Sequence, residues 1–203
     1  KTEHLTSEGY FTYLKEFKGG HSLNAVAGYS YFEKNGENFN AENYDFGVEG
    51  LKYWDLGAGS YLTDGKAAMG SGKNITERLF ALYARANYSY NDKYMVSATI
   101  RHEGSSKFAA ENRWGNFWAL SGGWRVSAEE FMKEFDWVSD LKVRFGYGVT
   151  GNNDFDASYM ANTLSRDQYW MLPSGSWAYV YGPSSNVNPY LGWEEKKEWN
   201  IGV

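Results

Sequence analysis

Polar and apolar residues swap sides at every step along four stretches of this chain, and the basic residues there all fall on the polar side. In residues 79 to 90, Phe80, Leu82, Ala84, Ala86, Tyr88 and Tyr90 share one face, while Tyr83, Arg85, Asn87 and Ser89 share the other. After Asn91, Asp92 and Lys93, a tight turn by composition, Tyr94, Val96, Ala98 and Ile100 oppose Met95, Ser97, Thr99 and Arg101. Residues 117 to 126 set Trp118, Leu120, Gly122, Trp124 and Val126 against Ala119, Ser121, Gly123 and Arg125. Residues 141 to 149 set Leu141, Val143, Phe145, Tyr147 and Val149 against Lys142, Arg144, Gly146 and Gly148. Weaker alternation over 5 to 17 and 22 to 32 predicts two more strands. The chain reads as all-β.

Alternation alone fits two architectures, because a soluble sandwich also buries one face of each strand. Length and charge placement separate them. Soluble strands peak at about 5 to 6 residues, whereas a strand tilted across a bilayer needs roughly 9 to 11. The runs at 79 to 90, 117 to 126 and 141 to 149 fit the longer figure. A basic residue on the lipid side at the bilayer midplane costs roughly 2 to 4 kcal/mol, but a wet lumen accepts it with little loss. Arg85, Arg101, Arg125, Lys142 and Arg144 all lie opposite the apolar residues of their own strands. Tyr88, Tyr90 and Tyr94 flank one short turn, and Trp118 and Trp124 share the apolar face, as in an interfacial girdle. The bland alternative is a soluble carbohydrate-binding or adhesive β-domain, with these rings in its core.

The joins alternate short (18 to 21), long (33 to 77), short (91 to 93), long (102 to 116) and intermediate (127 to 140). Outer-membrane barrels have short periplasmic turns and long extracellular loops, which assigns 33 to 77 and 102 to 116 to the outside. Within 127 to 140, Ser127 and Glu130 stand in capping-box spacing before Phe131 and Met132, predicting a short helix. Residues 151 to 192 carry turn signals around aromatic patches and read either as one long loop or as two further strands.

Composition removes other classes. No segment approaches the ~20 apolar residues of a membrane helix. A net charge of -5 with scattered basic residues lacks the footprint of a nucleic-acid binder. With no Cys there are no disulfides or thiolate metal sites. The chain opens at Lys1 without a leader pattern and stops at Val203 inside a strand pattern, so it reads as an internal fragment.

Several blocks carry a family resemblance: RANYSY at 85 to 90, KY at 93 and 94, RHEGSSKF at 101 to 108, WGNF at 114 to 117, WRVSAEEF at 124 to 131, LKVRFGYGVTGN at 141 to 152, and NPYLGWEEKKEWNIGV at 188 to 203. In order and spacing they closely resemble the barrel of SusC/RagA TonB-dependent transporters. The departures are His102 and Glu103, where the family usually has a basic residue and Asp, and Trp118 and Ala119 in place of a common Pro-Ser. Residues 1 to 78 match only in general character. The resemblance implies a transmembrane antiparallel β-barrel of roughly 22 strands with a plugged lumen, of which 1 to 203 supply about a third. It implies a multi-pass protein of the bacterial outer membrane, in contact with outer-membrane lipid, whose plug domain, TonB box and remaining strands lie outside this chain. It further implies a SusD-like surface lipoprotein, energisation by the TonB–ExbB–ExbD complex, and oligosaccharide or peptide cargo.

No residue pattern calls for catalysis, a cofactor or a metal. His4, His21 and His102 are far apart, and the pairs Asp154/Asp156 and Glu194/Glu195 sit in polar sequence without burial to raise a pKa. The site candidates are lumen-facing: Arg85, Asn87, Arg101, Arg125, Lys142 and Arg144; of these the four arginines either orient anionic cargo or pair with plug carboxylates, the second being favoured. A second set, Tyr53, Trp54, Tyr169, Trp170 and Trp177, either stacks on cargo or packs the loops.

Overall fold

Asn91 and Asp92 adopt φ of 50° and 53°. Asn and Asp tolerate that left-handed conformation better than other side chains, and its twist matches two antiparallel strands leaving a tight turn. Here the turn joins β4 (Glu77–Tyr90) to β5 (Tyr94–Ser105), and Lys93 N–H closes it on the Tyr90 carbonyl at 3.0 Å. The remaining strands are β1 (Thr2–Phe17), β2 (His21–Glu42), β3 (Ala68–Lys73), β6 (Trp114–Arg125), β7 (Lys142–Asn152), β8 (Leu164–Met171), β9 (Trp177–Pro183) and β10 (Glu194–Gly202). The computed structural model describes all residues except 48–49, 51–53, 75, 136, 156–163 and 184–186.

Two compact units are distinguished. The larger, Leu5–Glu33 with Glu77–Val203, holds most of a sheet in the order β1-β2-β4-β5-β6-β7-β10. Pairs β4 to β7 and β7 with β10 are antiparallel, and their registers keep the predicted faces intact from strand to strand. Tyr88 lies opposite Val96, Val96 opposite Gly122 and Gly122 opposite Phe145 on one face; Asn87, Ser97, Ser121 and Gly146 line up on the other. The smaller unit, Lys1–His4 with Lys34–Thr76, pairs the far end of β2 with β3. In it the Asn43 amide donates to the carbonyls of Leu56 (2.7 Å) and Gly59 (2.8 Å), and Ser60 Oγ donates to Asp45 at 2.6 Å.

The apolar face is not covered by a second sheet among the described residues. Ile100, Leu120 and Phe145 remain half exposed and Trp199 is 71% exposed, so the burial expected of a soluble sandwich is missing. Strands of 11 to 14 residues in β4 to β7 suit a tilted membrane crossing.

Three expectations change, and for residues 151 to 192 the second of the two open alternatives holds. β2 runs to Glu42, and β3 lies inside the predicted 33 to 77 loop; this part is polar on both faces (Asn35, Glu37, Asn38, Asn40), so alternation could not reveal it. The 102 to 116 loop contracts to 106 to 113, because Glu103 and Gly104 still pair with Gly115 and Trp114. Residues 151 to 192 contain two strands, β8 and β9, which form their own hairpin outside the main sheet. The predicted helix at 127 to 140 is replaced by two 3-10 turns, Val126–Ala128 and Glu130–Met132. The capping box is not made: the Ser127 hydroxyl donates instead to Asp140 at 2.8 Å, and Glu130 pairs with Lys133.

Candidate functional site

The polar face carries all six lumen candidates, and their partners divide them. Arg101 grips Glu103 through two 2.8 Å hydrogen bonds and reaches Ser30 at 3.2 Å. Arg125 donates twice to Asp140, at 2.9 and 3.4 Å. These two guanidinium groups are neutralised within the wall. Arg85 donates to Thr99 at 3.3 Å, Lys142 lies 3.2 Å from the Met95 sulfur, and the Arg144 guanidinium packs over Gly202. None of these three has a carboxylate partner among the described residues. Lys142, Arg144 and Asn87 line a hollow of about 630 Å³ with Asn24, Asn200 and Ser97. Small residues, Ser121, Gly122, Gly123 and Gly146, leave the space open, and the charged side chains that line it are both basic.

At the long-connection end the quoted sequence blocks converge on a buried node that alternation alone did not reveal. Ser105, 1% exposed, accepts from the Asn153 amide at 3.2 Å and from Lys107 N–H at 3.3 Å. Phe108 packs on Phe155 and Trp193, and Trp193 meets Phe117 edge-on at 5.0 Å while its indole N–H donates to Arg113 O at 2.9 Å. Lys107 Nζ binds the Phe155 carbonyl at 3.0 Å and Glu77 at 3.5 Å. The node therefore roots three connections, 106 to 113, 153 to 155 and 188 to 193, onto the sheet.

Between the second and third of these connections in sequence stands the β8–β9 hairpin. Tyr169 faces Tyr179 and Met171 faces Trp177, so Tyr169 and Trp177 share one side, whereas Trp170, opposite Ala178, lies on the other. The hydroxyls of Tyr169 and Tyr179 are 2.7 Å apart, and their rings stand in an exposed patch with Trp177 and Tyr181. Trp54 is exposed in the smaller unit, and Tyr53 lies outside the described residues. The structure thus joins Tyr169 to Trp177 and leaves Trp170 on the opposite side.

The two rims of the apolar face are ringed by aromatics. At the short-turn end His21 stacks on Tyr90 and hydrogen-bonds the Tyr88 hydroxyl at 2.7 Å, with Tyr94 and Trp124 alongside. At the other end His102 stacks flat on Trp114 at 4.7 Å and donates to Asn116. Tyr94 to His102 spans eight residue steps, roughly 27 Å along the strand and about 20 Å along the membrane normal at the usual tilt. At the short-turn end Glu129 also accepts from Tyr94 (2.6 Å), Trp124 (3.2 Å) and Lys93 (3.3 Å). The Tyr94 hydroxyl first, then the indole N–H and the ammonium, holds its carboxyl below the usual glutamate range. Asp140 is held low by the Arg125 guanidinium and the Ser127 hydroxyl. Glu194 accepts from the Asn152 amide at 3.1 Å, Glu195 pairs with Lys197, and Asp156 lies outside the described residues. Among the described residues no three His, Asp or Glu side chains stand together to hold a metal ion.

A sheet with one wet, basic face and one uncovered apolar face between aromatic rims is the wall of a transmembrane β-barrel. The family model for the TonB-dependent receptor-like β-barrel matches residues 2–203, and the chain belongs to that family. It is 34% identical to TonB-dependent receptor P39 of Formosa agariphila over 97% of this chain and 18% of that protein. It is 35% identical to TonB-dependent receptor SusC of Bacteroides thetaiotaomicron over 62% of this chain and 13% of that protein. The fold matches the solved RagAB peptide importer with a TM-score of 0.78 at 22% identity, covering 98% of this chain and 21% of that one. The chain thus spans between 13 and 21% of the length of these proteins, and the family is one of outer-membrane barrels.

Proposed function

We propose that the full-length protein imports large nutrients, oligosaccharides or peptides, across the outer membrane, and that residues 1 to 203 form part of its barrel and perform no catalysis. The reading includes a SusD-like surface lipoprotein over the extracellular mouth. It also includes a plug domain and a contact with the TonB–ExbB–ExbD complex, both supplied by parts of the protein outside this chain. The observation that carries it is sidedness: Arg85, Arg101, Arg125, Lys142 and Arg144 of β4 to β7 all lie on the face away from the exposed apolar side chains, and Arg78, at the start of β4 beyond the aromatic rim, is paired with Glu33. Such a wall has a use only around a wet lumen.

Within that reading the six lumen residues have separate roles. Arg101 and Arg125 brace the wall, while Arg85, Lys142 and Arg144, with Asn87, take carboxylates of the plug. Tyr169 and Trp177 offer ring faces to cargo at the mouth, where stacking on sugars or side chains tolerates many ligands. Trp54 is assigned the same role from its exposure.

The test is uptake of fluorescent oligosaccharides and peptides by cells carrying the full gene. Deleting the gene, deleting tonB, or collapsing the proton-motive force should each abolish entry of one cargo class. Uptake that survives all three, or full-length protein recovered from the aqueous fraction after membrane separation, would defeat the proposal.

A further inference from the structure

The connection between β6 and β7 is much the longest of those at the short-turn end, and it carries three large apolar side chains in the open. Phe131, Phe135 and Trp137 are 55%, 46% and 84% exposed. Monomeric surfaces seldom keep such a cluster on a short segment without something to receive it. The segment is not slack. Met132 N–H bonds to Glu129 O, Lys133 to Glu130, Phe135 to Met132 and Val138 to Phe135, so it is wound into consecutive tight turns.

Its attachment decides where those rings go. The Glu129 carboxylate is held by Tyr94 and Trp124, which sit directly opposite each other on the apolar face. That anchor draws the start of the connection to the membrane side of the rim. Three of the segment's acids are already matched by cations: Glu129 by Lys93, Glu130 by Lys133 and Asp140 by Arg125. Matching lowers the cost of bringing the turn close to an apolar boundary.

We propose that residues 126 to 141 form an interfacial foot, with Phe131, Phe135 and Trp137 inserted at the headgroup–acyl boundary of the periplasm-facing leaflet. The foot continues the lipid-facing band of β5 and β6 around the end of the wall. Phospholipid is the occupant because the foot is continuous with a surface that already faces lipid. An indole also suits that depth, burying an apolar body while keeping its N–H wet. Insertion of about 5 to 10 Å is the usual reach of such an element. This inference rests on the barrel reading of the preceding section.

The test uses full-length protein in phosphatidylcholine–phosphatidylglycerol vesicles whose acyl chains are brominated at shallow or deep positions. The Trp137 signal is the fluorescence of the wild type minus that of Trp137→Phe, an exposed and conservative change; Trp118→Phe reports the strand in the same way. Shallow bromines are expected to quench the Trp137 signal at least twofold more than deep ones, with acrylamide quenching at least threefold below that of free N-acetyltryptophanamide. Full acrylamide quenching, or shielding from both quenchers as in packing against another protein segment, would overturn the foot while Trp118 stays lipid-quenched. If Trp118 is not quenched by brominated lipid either, the barrel reading itself has failed.

Discussion

The ring of Phe117 fills the space where side chains on Gly115 and Gly151 would stand: a Cβ at Gly151 would lie 2.1 Å from it, and one at Gly115 2.4 Å. Both glycines are thereby explained by close approach of a ring to backbone, with Trp193 against the same ring. Phe117→Ala is expected to cost about 3 to 5 kcal/mol, the usual loss for a buried aromatic. Gly151→Ala should also destabilise, although Ala in place of Gly in a strand ordinarily gains roughly 0.5 to 1 kcal/mol. Urea unfolding of full-length protein in detergent, followed by loss of heat-modifiable mobility on gels, reads both. An unchanged midpoint for Gly151→Ala would show that the ring is not seated there. The motif blocks showed these residue types in order, but not that GSSKF, WGNF, TGN and LGW meet in one place. That meeting depends on contacts between residues as far apart as 108 and 193, which no local pattern encodes.

At the scale of elements, alternation exposed the strands that cross the membrane because there the two faces meet opposite solvents. Beyond about residue 33 β2 carries polar side chains on both faces, the alternation fades, and the strand continues unseen to Glu42. The connection at 127 to 140 departs from its local pattern because Ser127 and Glu130 have capping-box spacing, yet other partners, Asp140 and Lys133, take their polar atoms. The faces themselves give a paired prediction. Ala98→Arg, midway between the Tyr94 and His102 rims on the apolar face, should cost roughly 2 to 4 kcal/mol, and Ala119→Arg, on the wet face of the neighbouring strand, little. Equal losses in folding titrations into lipid vesicles would refute the assignment of faces. The turn adds a pH dependence. Glu129 titrates below its ordinary range in the folded protein, so its clamp contributes fully above the unfolded carboxyl value and is lost as pH falls through the depressed folded value. Hydrogen-exchange protection at Met132, Lys133 and Phe135 should therefore drop on acidification into that window. Glu129→Gln should flatten the drop, and a pH response surviving in that variant would place the titrating group elsewhere.

For the molecule as a whole, β1 and β10 are edges of an open sheet within this chain, and a barrel tolerates no edges, so other strands must complete the wall. On the proposed transporter reading, the cations of the wet face divide by what they can hold. Arg101 and Arg125 spend their charge on Glu103 and Asp140, and their removal should act on stability alone. Among the described residues Lys142 and Arg144 have no carboxylate partner and line one hollow, and in the proposed reading a carboxylate of the plug docks there through charge-assisted hydrogen bonds. Reversing both, Lys142→Glu with Arg144→Glu, replaces attraction by repulsion at that seat. In planar bilayers the full-length double variant is expected to show leak openings roughly tenfold more often than the wild type, the effect of about 1.4 kcal/mol of lost plug contact. Arg101→Gln with Arg125→Gln serves as the control, since it removes charge from the same face without emptying the seat. If the control leaks as much as the reversal, any loss of lumen charge loosens the plug and the two classes of cation collapse into one. If neither leaks, Lys142 and Arg144 do not hold the plug, and the hollow is left to anionic cargo, measurable as a fall in cargo binding in the reversed variant.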